Sequence, residues 1–373
     1  MNAPHRRDVF VSGVGLHAFG RFPGFTTQAL VLEAVEEALR DAAVDYKAVQ
    51  AVYYAHVYYQ GMSAGEHMLA PLGLTGVPFV NVENACSSGT TALWLAYWAI
   101  ATGQFDCALV AGAERVPAGP VSVLDAGDPR RLVGDDHMMA AYALRMRRYM
   151  DDHGAPAEAI AQVAVKARAN AVLNDRAHQR RAVTLEEVMR SRMVADPLTL
   201  LQCCPTSEGS AAAILTSTRT AGSRPVRIRG AALRTDPYHG PGVANPDVVT
   251  LAGRDACTQA GLGPGEIDIA QVHDASTFGE ILRIEALGLV PEGEGWVATR
   301  DGRTALHGAL PVNTDGGLLA MGHPFGASGI RMLHETTIQL RGRAGPRQVA
   351  RARAGLVQCS GAGGVCTVLI AST

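Results

Sequence analysis

The stretch NVENACSSGTTALWLAYWAIATG (residues 81–103) decides the fold, because a strand-like run passes through a single cysteine into a helical pattern. Apolar residues repeat there at helical spacing, at Ala92, Leu93, Ala96, Tyr97 and Ile100. The next segment, CALVAGAERV (Cys107 to Val116), is a continuous apolar run, typical of a central strand that is covered on both faces. The sequence therefore predicts a strand, helix and strand of a largely parallel sheet.

Similar alternation extends in both directions from this stretch and predicts βαβ units. The first series has strand-like runs at Val9 to Val14, Ala51 to Val57, Pro78 to Val82 and Ser210 to Ser217, with a helix at Ala29 to Ala43. A second series follows Arg224, with Val226 to Leu233, a helix near Pro246 to Ala260, Ile269 to Val272, a helix from Phe278 and a strand after Gly355. We expect two similar α/β halves.

The segment between the two series is polar, rich in Arg and Met, and has few strand signals from about Pro117 to Pro205. We interpret it as an inserted lid. The predicted organisation is an N-terminal half of residues 1–116 and 206–222, an inserted loop or lid domain of residues 117–205, and a C-terminal half of residues 223–373.

Composition limits the classes of function. The 33 Lys and Arg nearly balance the 35 Asp and Glu, which gives no global field for nucleic acid or an anionic membrane. Seven scattered cysteines do not form a disulfide framework, and no CxxC pair suggests a metal site. We expect no secretory leader, no membrane span and no fused lipid-carrier domain, and a cytoplasmic location with free thiols.

Cys86 is the first candidate for chemistry. It precedes Ser87, Ser88 and Gly89 at the predicted start of a helix, where unpaired amides and the helix dipole favour thiolate and lower the thiol pKa. The alternative is a small buried apolar residue, the usual fate of a free cysteine. The segment alone leaves both interpretations open.

Three further segments carry polar groups beside glycines or strand ends. In VNTDGGLLAMGHPFGASGIRML (residues 312–333), His323 lies in a glycine-rich loop from which an imidazole can donate to an oxyanion. Cys359 begins the turn QCSGAGGV (residues 358–365), and His273 and Asp274 directly follow a strand. Taken singly, each has a structural explanation as good as the catalytic one.

Together these segments resemble the thiolase superfamily, most closely the thiolase domain of sterol carrier protein X and its bacterial lipid-transfer relatives. The resemblance runs from about Val9 to Ile370. It is carried, in the family's order, by NACSSG, LTLLQCCPTSEGSAAAIL, VHD with EALGLVPEGEG, GHPFGASG and QLRGRAGPRQV. It implies the α/β thiolase fold: two βαβαβαββ halves in a five-layer αβαβα arrangement, with an inserted lid domain.

The resemblance also implies roles for the matched residues. Cys86 is expected to be acylated by a coenzyme A thioester. His323, with a water or amide near His273 and Asp274, is expected to form one oxyanion hole, and the backbone amides of Cys86 and Gly361 the other. Cys359 occupies the position of the acid/base cysteine of ordinary thiolases. Acyl-CoA is thus expected as substrate, with no tightly bound cofactor and no metal.

Two departures from the family pattern leave the substrate open. Sterol carrier thiolases carry a cysteine after the His-Asp pair, where this chain has Ala275, whereas many of them lack the cysteine found here as Cys359. Thiolysis of a 3-oxoacyl-CoA or its reverse is the first expectation. C-acylation of a non-CoA acceptor, or retro-aldol cleavage of a steroid or lipid CoA thioester with a small OB-fold (DUF35-type) partner, is the second. A non-catalytic lipid-binding or scaffold subunit is the third.

Weaker candidates complete the set. His56, in the segment AHVYYQGM, and His137, beside Met138 and Met139, are candidates for the lining of the pocket. Candidates for contacts with the coenzyme A phosphates are Arg145, Arg147, Arg148, Arg176, Arg180 and Arg181. The family resemblance also implies a homodimer.

Overall fold

The chain forms two α/β halves joined edge to edge in one sheet. A computed structural model describes residues 6–119, 121, 122, 124, 125, 127–133, 137–219, 224–237 and 247–373. The expected boundary at residues 222 and 223, and Pro246 at the expected start of a helix, lie outside these ranges.

The first half begins at the N-terminus and closes after an insertion. Its elements are β1 (Phe10–Leu16), α1 (Thr27–Ala42), β2 (Ala51–Ala55), α2 (Ala64–Leu69), β3 (Phe79–Val82), α3 (Ser88–Ala101) and β4 (Cys107–Arg115). The insertion carries α4 (Met138–His153), α5 (Ala157–Val172), α6 (Leu185–Arg190) and the short antiparallel pair β5 (Met193–Ala195) and β6 (Leu198–Thr199). The half then closes with β7 (Glu208–Thr216).

The second half repeats this order with a reduced third strand. Its elements are β8 (Val226–Thr235), α7 (Val248–Ala260), β9 (Ile269–Gln271), α8 (Thr277–Ala286), α9 (Gly295–Arg300), α10 (Gly317–Ala320), α11 (Phe325–Arg341), β10 (Ala354–Gly361) and β11 (Val365–Ser372). The position that β3 holds in the first half is taken here by a single parallel bridge between Ala270 and Val312.

The sheet has nine strands in the order β3-β2-β4-β7-β1-β8-β11-β10-β9. Within each half, the strands next to the centre are antiparallel and the outer ones parallel. The halves meet where β1 pairs with β8 through Phe10 with Arg227 and Val11 with Val226. The strand order on one side of this junction therefore mirrors that on the other.

Helices complete five layers, which confirms the expected αβαβα arrangement. The helix α1 covers one face of the first half-sheet and α7 the outer face of the second, while α3 and α11 pack together between them. Two glycines allow this close packing: a Cβ on Gly89 would lie 2.7 Å from the Gly326 carbonyl oxygen, and one on Gly329 would lie 2.5 Å from the Thr90 nitrogen. Consequently α3 and α11 are buried along almost their whole length.

None of the helices in the described ranges combines the length and apolar character that crossing a bilayer requires.

Candidate active site

Cys86 lies in the tight turn between β3 and α3. Ala85 adopts a left-handed conformation (φ 50°), which costs an L-residue about 1 to 3 kcal/mol and is found mainly where the surrounding structure enforces it. The Ser88 hydroxyl accepts the Asn84 N–H at 2.8 Å and donates to the Ala85 carbonyl at 2.7 Å. These bonds hold the thiol just before the first turn of α3, as the sequence predicts.

The ionisation expected for Cys86 is corrected by its burial. The residue is 3% exposed and packs with Val116 and Phe325. Burial raises the pKa of the Cys86 thiol to about 12, although the Ala362 N–H donates to the sulfur and favours thiolate. Glu114 raises the pKa further. The expectation of a lowered pKa was wrong for the ligand-free site, because desolvation outweighs the amides at the helix start.

His323 lies near this thiol and has one ring nitrogen without a partner among the described residues. Its Nδ1 lies 2.8 Å from the Ser328 hydroxyl, which itself donates to the Pro324 carbonyl at 2.8 Å. Since the single hydroxyl proton is already used, Nδ1 carries the ring proton and Nε2 holds a lone pair. Within the described part of the chain, this buried Nε2 has no hydrogen-bond partner. Burial lowers the pKa of His323 to about 3, so the ring is neutral.

His273 has the opposite tautomer. Its Nδ1 accepts the Ser360 N–H at 3.4 Å and lies 3.3 Å from the Cys359 sulfur. The ring proton therefore belongs on Nε2, which makes His273 a donor where His323 is an acceptor. Burial lowers the pKa of His273 well below its usual range. One ring nitrogen of each histidine and the Cys86 sulfur all lie within 4.8 Å of one another.

Cys359 joins the same cluster. Its thiol donates to the Cys86 carbonyl at 3.0 Å, and burial raises its pKa well above the ordinary value. The structure therefore brings together the two thiols and the two imidazoles that the sequence singled out. Gly361 follows Cys359 by two residues in β10 and lines a cavity beside this cluster.

Asp274 faces away from this cluster. Its carboxylate accepts the N–H groups of Leu318 at 2.7 Å and Leu319 at 3.5 Å, at the start of α10. A Cβ on Gly317 would lie 2.1 Å from the carboxylate oxygen, so the glycine makes this approach possible. Because α10 ends three residues before His323, Asp274 anchors the loop that carries the histidine.

A cavity of about 290 Å³ opens onto Cys86 and His273. His137, exposed at the start of α4, lines it as expected, and so do Tyr142 and the exposed Arg145. The cavity is also lined by Arg283 of α8, which the sequence analysis did not select.

The remaining candidates lie elsewhere or form other contacts. His56 is half-buried between Tyr54 and Tyr59 and does not line the cavity. Burial lowers its pKa. Four of the candidate arginines form ion pairs with neighbouring acids, as Arg147–Asp196, Arg148–Asp152, Arg176–Glu37 and Arg181–Glu187.

Glu114, at the end of β4, is a buried carboxylate that the sequence analysis missed. It accepts the N–H groups of Val57 at 2.7 Å, Tyr58 at 3.0 Å and Gly326 at 3.4 Å. It thus joins the loop after β2 to the start of α11, close to Cys86. The available signal was a lone acid after seven uncharged residues in a central strand.

Comparison with known proteins identifies the family. Residues 11–219 match the model "Thiolase, N-terminal domain" and residues 242–371 match "Thiolase C-terminal domain-like". An acetyl-CoA acetyltransferase of Methanothermobacter thermautotrophicus is 37% identical, with 98% of this chain and 100% of that protein covered. Sterol carrier protein 2 of Bos taurus is 35% identical, with 99% of this chain and 73% of that protein covered.

A solved structure extends the same similarity to three dimensions. The structure described as "Ltp2-ChsH2(DUF35) aldolase" matches with a TM-score of 0.85 and 26% identity over 98% of both chains. Its similarity covers both halves of the sheet and the insertion between them. With two family models, full-length relatives and this structural match in agreement, the chain belongs to the thiolase family.

Proposed function

We propose that the protein is an acyltransferase that carries the acyl group of a coenzyme A thioester on Cys86, cleaving a 3-oxoacyl-CoA by thiolysis or forming one by Claisen condensation. The observation that carries the proposal is the grouping of the Cys86 sulfur with one nitrogen each of His273 and His323 within 4.8 Å. A nucleophile, an acceptor and a donor within reach of one another, two of them in the lining of one cavity, meet the geometric requirement for acyl transfer.

The first step requires that the Cys86 proton leave as the sulfur attacks the 3-oxo carbonyl. Both the raised pKa of the Cys86 thiol and the lowered pKa of His323 favour the neutral pair in the ligand-free site. We therefore couple the proton transfer to the attack, with Nε2 of His323 as acceptor. Once protonated, this nitrogen can donate to the oxyanion, which is the role that the family resemblance implies for His323. The oxyanion that forms is stabilised by N–H donors, a role that we assign to Nε2 of His273 and the backbone amides near Gly361.

Collapse of this intermediate breaks the bond between carbons 2 and 3 of the substrate and leaves the acyl group on Cys86. The departing acetyl-CoA enolate takes a proton from Cys359, whose sulfur lies 3.3 Å from Nδ1 of His273. A second coenzyme A thiol then attacks the acyl-cysteine, releases the shortened acyl-CoA and restores both thiols. Condensation follows the same steps in reverse.

The test replaces the nucleophile and looks for the acyl adduct. Cys86→Ala should abolish acyl transfer, and mass spectrometry after incubation with an acyl-CoA should locate an adduct on Cys86 of the unaltered protein. Cys107→Ala is the matched control, because Cys107 is also buried but lies at the start of β4. Absence of an adduct with every short or medium thioester would refute the proposal.

A second candidate is retro-aldol cleavage of a steroid or lipid CoA thioester, or C-acylation of a non-CoA acceptor. The 26% identity with the Ltp2-ChsH2(DUF35) aldolase and the presence of Ala275 favour it. Retro-aldol cleavage needs a base but no acyl-cysteine, so activity that survives Cys86→Ala would support the lyase.

The proposal extends to the setting of the reaction. We propose a homodimer, as the family resemblance implies. We also propose a cytoplasmic location, with which the free cysteines at the described positions agree. A small OB-fold protein of the DUF35 type is the proposed partner. Purification from the native host, followed by identification of bound proteins, tests for it.

A further inference from the structure

Arg283 is a buried cation that has no anionic partner among the described residues. It lies on α8 and is 6% exposed. Across the described residues, no carboxylate lies within 4.0 Å of its guanidinium, and its Nε has no hydrogen-bond partner. Its recorded hydrogen bond is a long one, 3.5 Å from Nη2 to the Tyr142 hydroxyl. Removing a guanidinium from water costs desolvation free energy, and one long hydrogen bond offsets little of it.

Four other cations with buried side chains pair with acids, whereas Arg168, 8% exposed and outside the cavity lining, has no acidic partner among the described residues. Lys166 pairs with Glu280, Arg331 with Asp315, Arg341 with Asp41 and Arg347 with Glu335. The Lys166–Glu280 pair involves α8 itself, one turn before Arg283. The same helix therefore carries Glu280, which is paired, and Arg283, which has no acidic partner among the described residues and lines the cavity.

The local structure directs Arg283 towards the reacting groups. Side chains on a helix lean towards its N-terminus, and α8 begins four residues after His273. One turn before Arg283 is Gly279, where a Cβ would lie 3.5 Å from the Tyr142 ring. Tyr142 thus packs against this turn of α8, and Arg283 shares the lining of one cavity with Tyr142, His273 and Cys86.

The acids of the cavity do not serve as counterions for Arg283. Asp236 and Asp247 also line it, but neither lies within ion-pair distance of the guanidinium. The Asp247 carboxylate instead caps α7 by accepting the Val249 N–H at 2.7 Å. The guanidinium of Arg283 is therefore available to bind an anionic group of a ligand.

We propose that Arg283 binds a carboxylate carried by the acyl group itself, so that the enzyme acts on coenzyme A thioesters of short dicarboxylic acids or their 3-oxo derivatives. This inference rests on the proposed function and specifies its substrate. Guanidinium and carboxylate match as planar, two-point partners. The cavity volume of about 290 Å³ is at the small end of ligand pockets, which favours a short acyl group.

The test compares two thioesters that share coenzyme A and a four-carbon acyl chain, succinyl-CoA and butyryl-CoA. Binding is measured by calorimetry in a Cys86→Ala background, so that no acyl transfer is needed. Arg283→Met removes the charge at similar volume, Arg283→Lys keeps it, and Arg145→Met removes an exposed charge at the same cavity. Thermal unfolding of each variant checks the fold.

Succinyl-CoA should bind about 10- to 100-fold more tightly than butyryl-CoA, in the range of a charge-assisted hydrogen bond. Arg283→Met should remove this preference, Arg283→Lys should keep part of it, and Arg145→Met should leave it intact. Equal affinities before substitution, or a preference that persists in Arg283→Met, would overturn the inference.

Acylation of intact Cys86 by both thioesters, followed by mass spectrometry, separates this inference from the proposed function. A succinyl preference in binding without any adduct removes the acyl-enzyme and keeps the role of Arg283. Equal binding with adducts from both thioesters removes the role of Arg283 and keeps the acyl-enzyme. Binding of neither thioester would overturn both.

Discussion

Replacing Glu114 by glutamine is expected to change how the stability of the protein depends on pH. The carboxyl is 2% exposed, and burial raises its pKa from 4.5 to about 7 despite the N–H groups that it accepts. The folded protein therefore holds this proton more tightly than the unfolded chain does. Glutamine has similar shape and does not titrate in this range.

The sign and size follow from proton linkage. Below pH 4.5 the carboxyl is protonated in both states and its contribution to stability is complete. As the pH rises towards 7, only the unfolded chain releases the proton, so stability falls, and the loss levels off above about 7. At 1.36 kcal/mol per pKa unit, the loss totals about 3 kcal/mol, most of it between about pH 5 and 8.

The assay is urea unfolding of wild type and Glu114→Gln at several values from about pH 5 to 8. At low pH the variant should be less stable, because the amide NH2 group cannot accept a backbone N–H as the hydroxyl oxygen of the protonated carboxyl can. The difference should then shift by about 2 to 3 kcal/mol in favour of the variant as the pH rises. Glu36→Gln, at an exposed glutamate, controls for the loss of one negative charge. A difference that stays constant with pH would refute the reasoning.

Two further substitutions test how the site is held. Lys166→Met should destabilise the protein by about 3 to 5 kcal/mol in urea unfolding, because it leaves the fully buried Glu280 without its cation. Adding Glu280→Gln should recover most of this loss. A cost of Lys166→Met alone below about 1 kcal/mol would contradict the reasoning. Gly317→Ala places a methyl group 2.1 Å from the Asp274 carboxylate at φ 61°, and should lower both kcat and melting temperature. Gly261→Ala, at φ 65° in open space, carries backbone strain of about 1 to 3 kcal/mol without the clash; equal effects of the two would show that the clash is unimportant.

Local patterns predict the skeleton of this fold and the position of the nucleophile. The apolar run of β4 and the spacing in α3 identify a central strand and a buried helix, and the structure has both at nearly the expected bounds. The turn at Cys86 follows from the strand, the serines and the glycine before that helix. The convergence of Cys86 with Cys359 was accessible only through family resemblance, since 273 positions separate the two residues.

Burial and pairing account for what the sequence did not predict. The pKa of Cys86 depends on Val116 and Phe325, which cover the thiol from other parts of the chain. Asp274 follows His273 directly, yet its carboxylate turns to the start of α10. Arg283 looks like one polar residue of an amphipathic helix until its surroundings are known. Such properties arise from distant contacts that no local pattern encodes.

The layer made of α3 and α11 affects how this protein can be engineered. Each half contributes one of these helices, and each helix packs on strands of both half-sheets. Neither half is expected to fold alone, because its central helix would lose the packing contacts that the other half provides. Chimaeras built from related enzymes would need to exchange the two helices together, with Gly89 and Gly329 retained at their crossing.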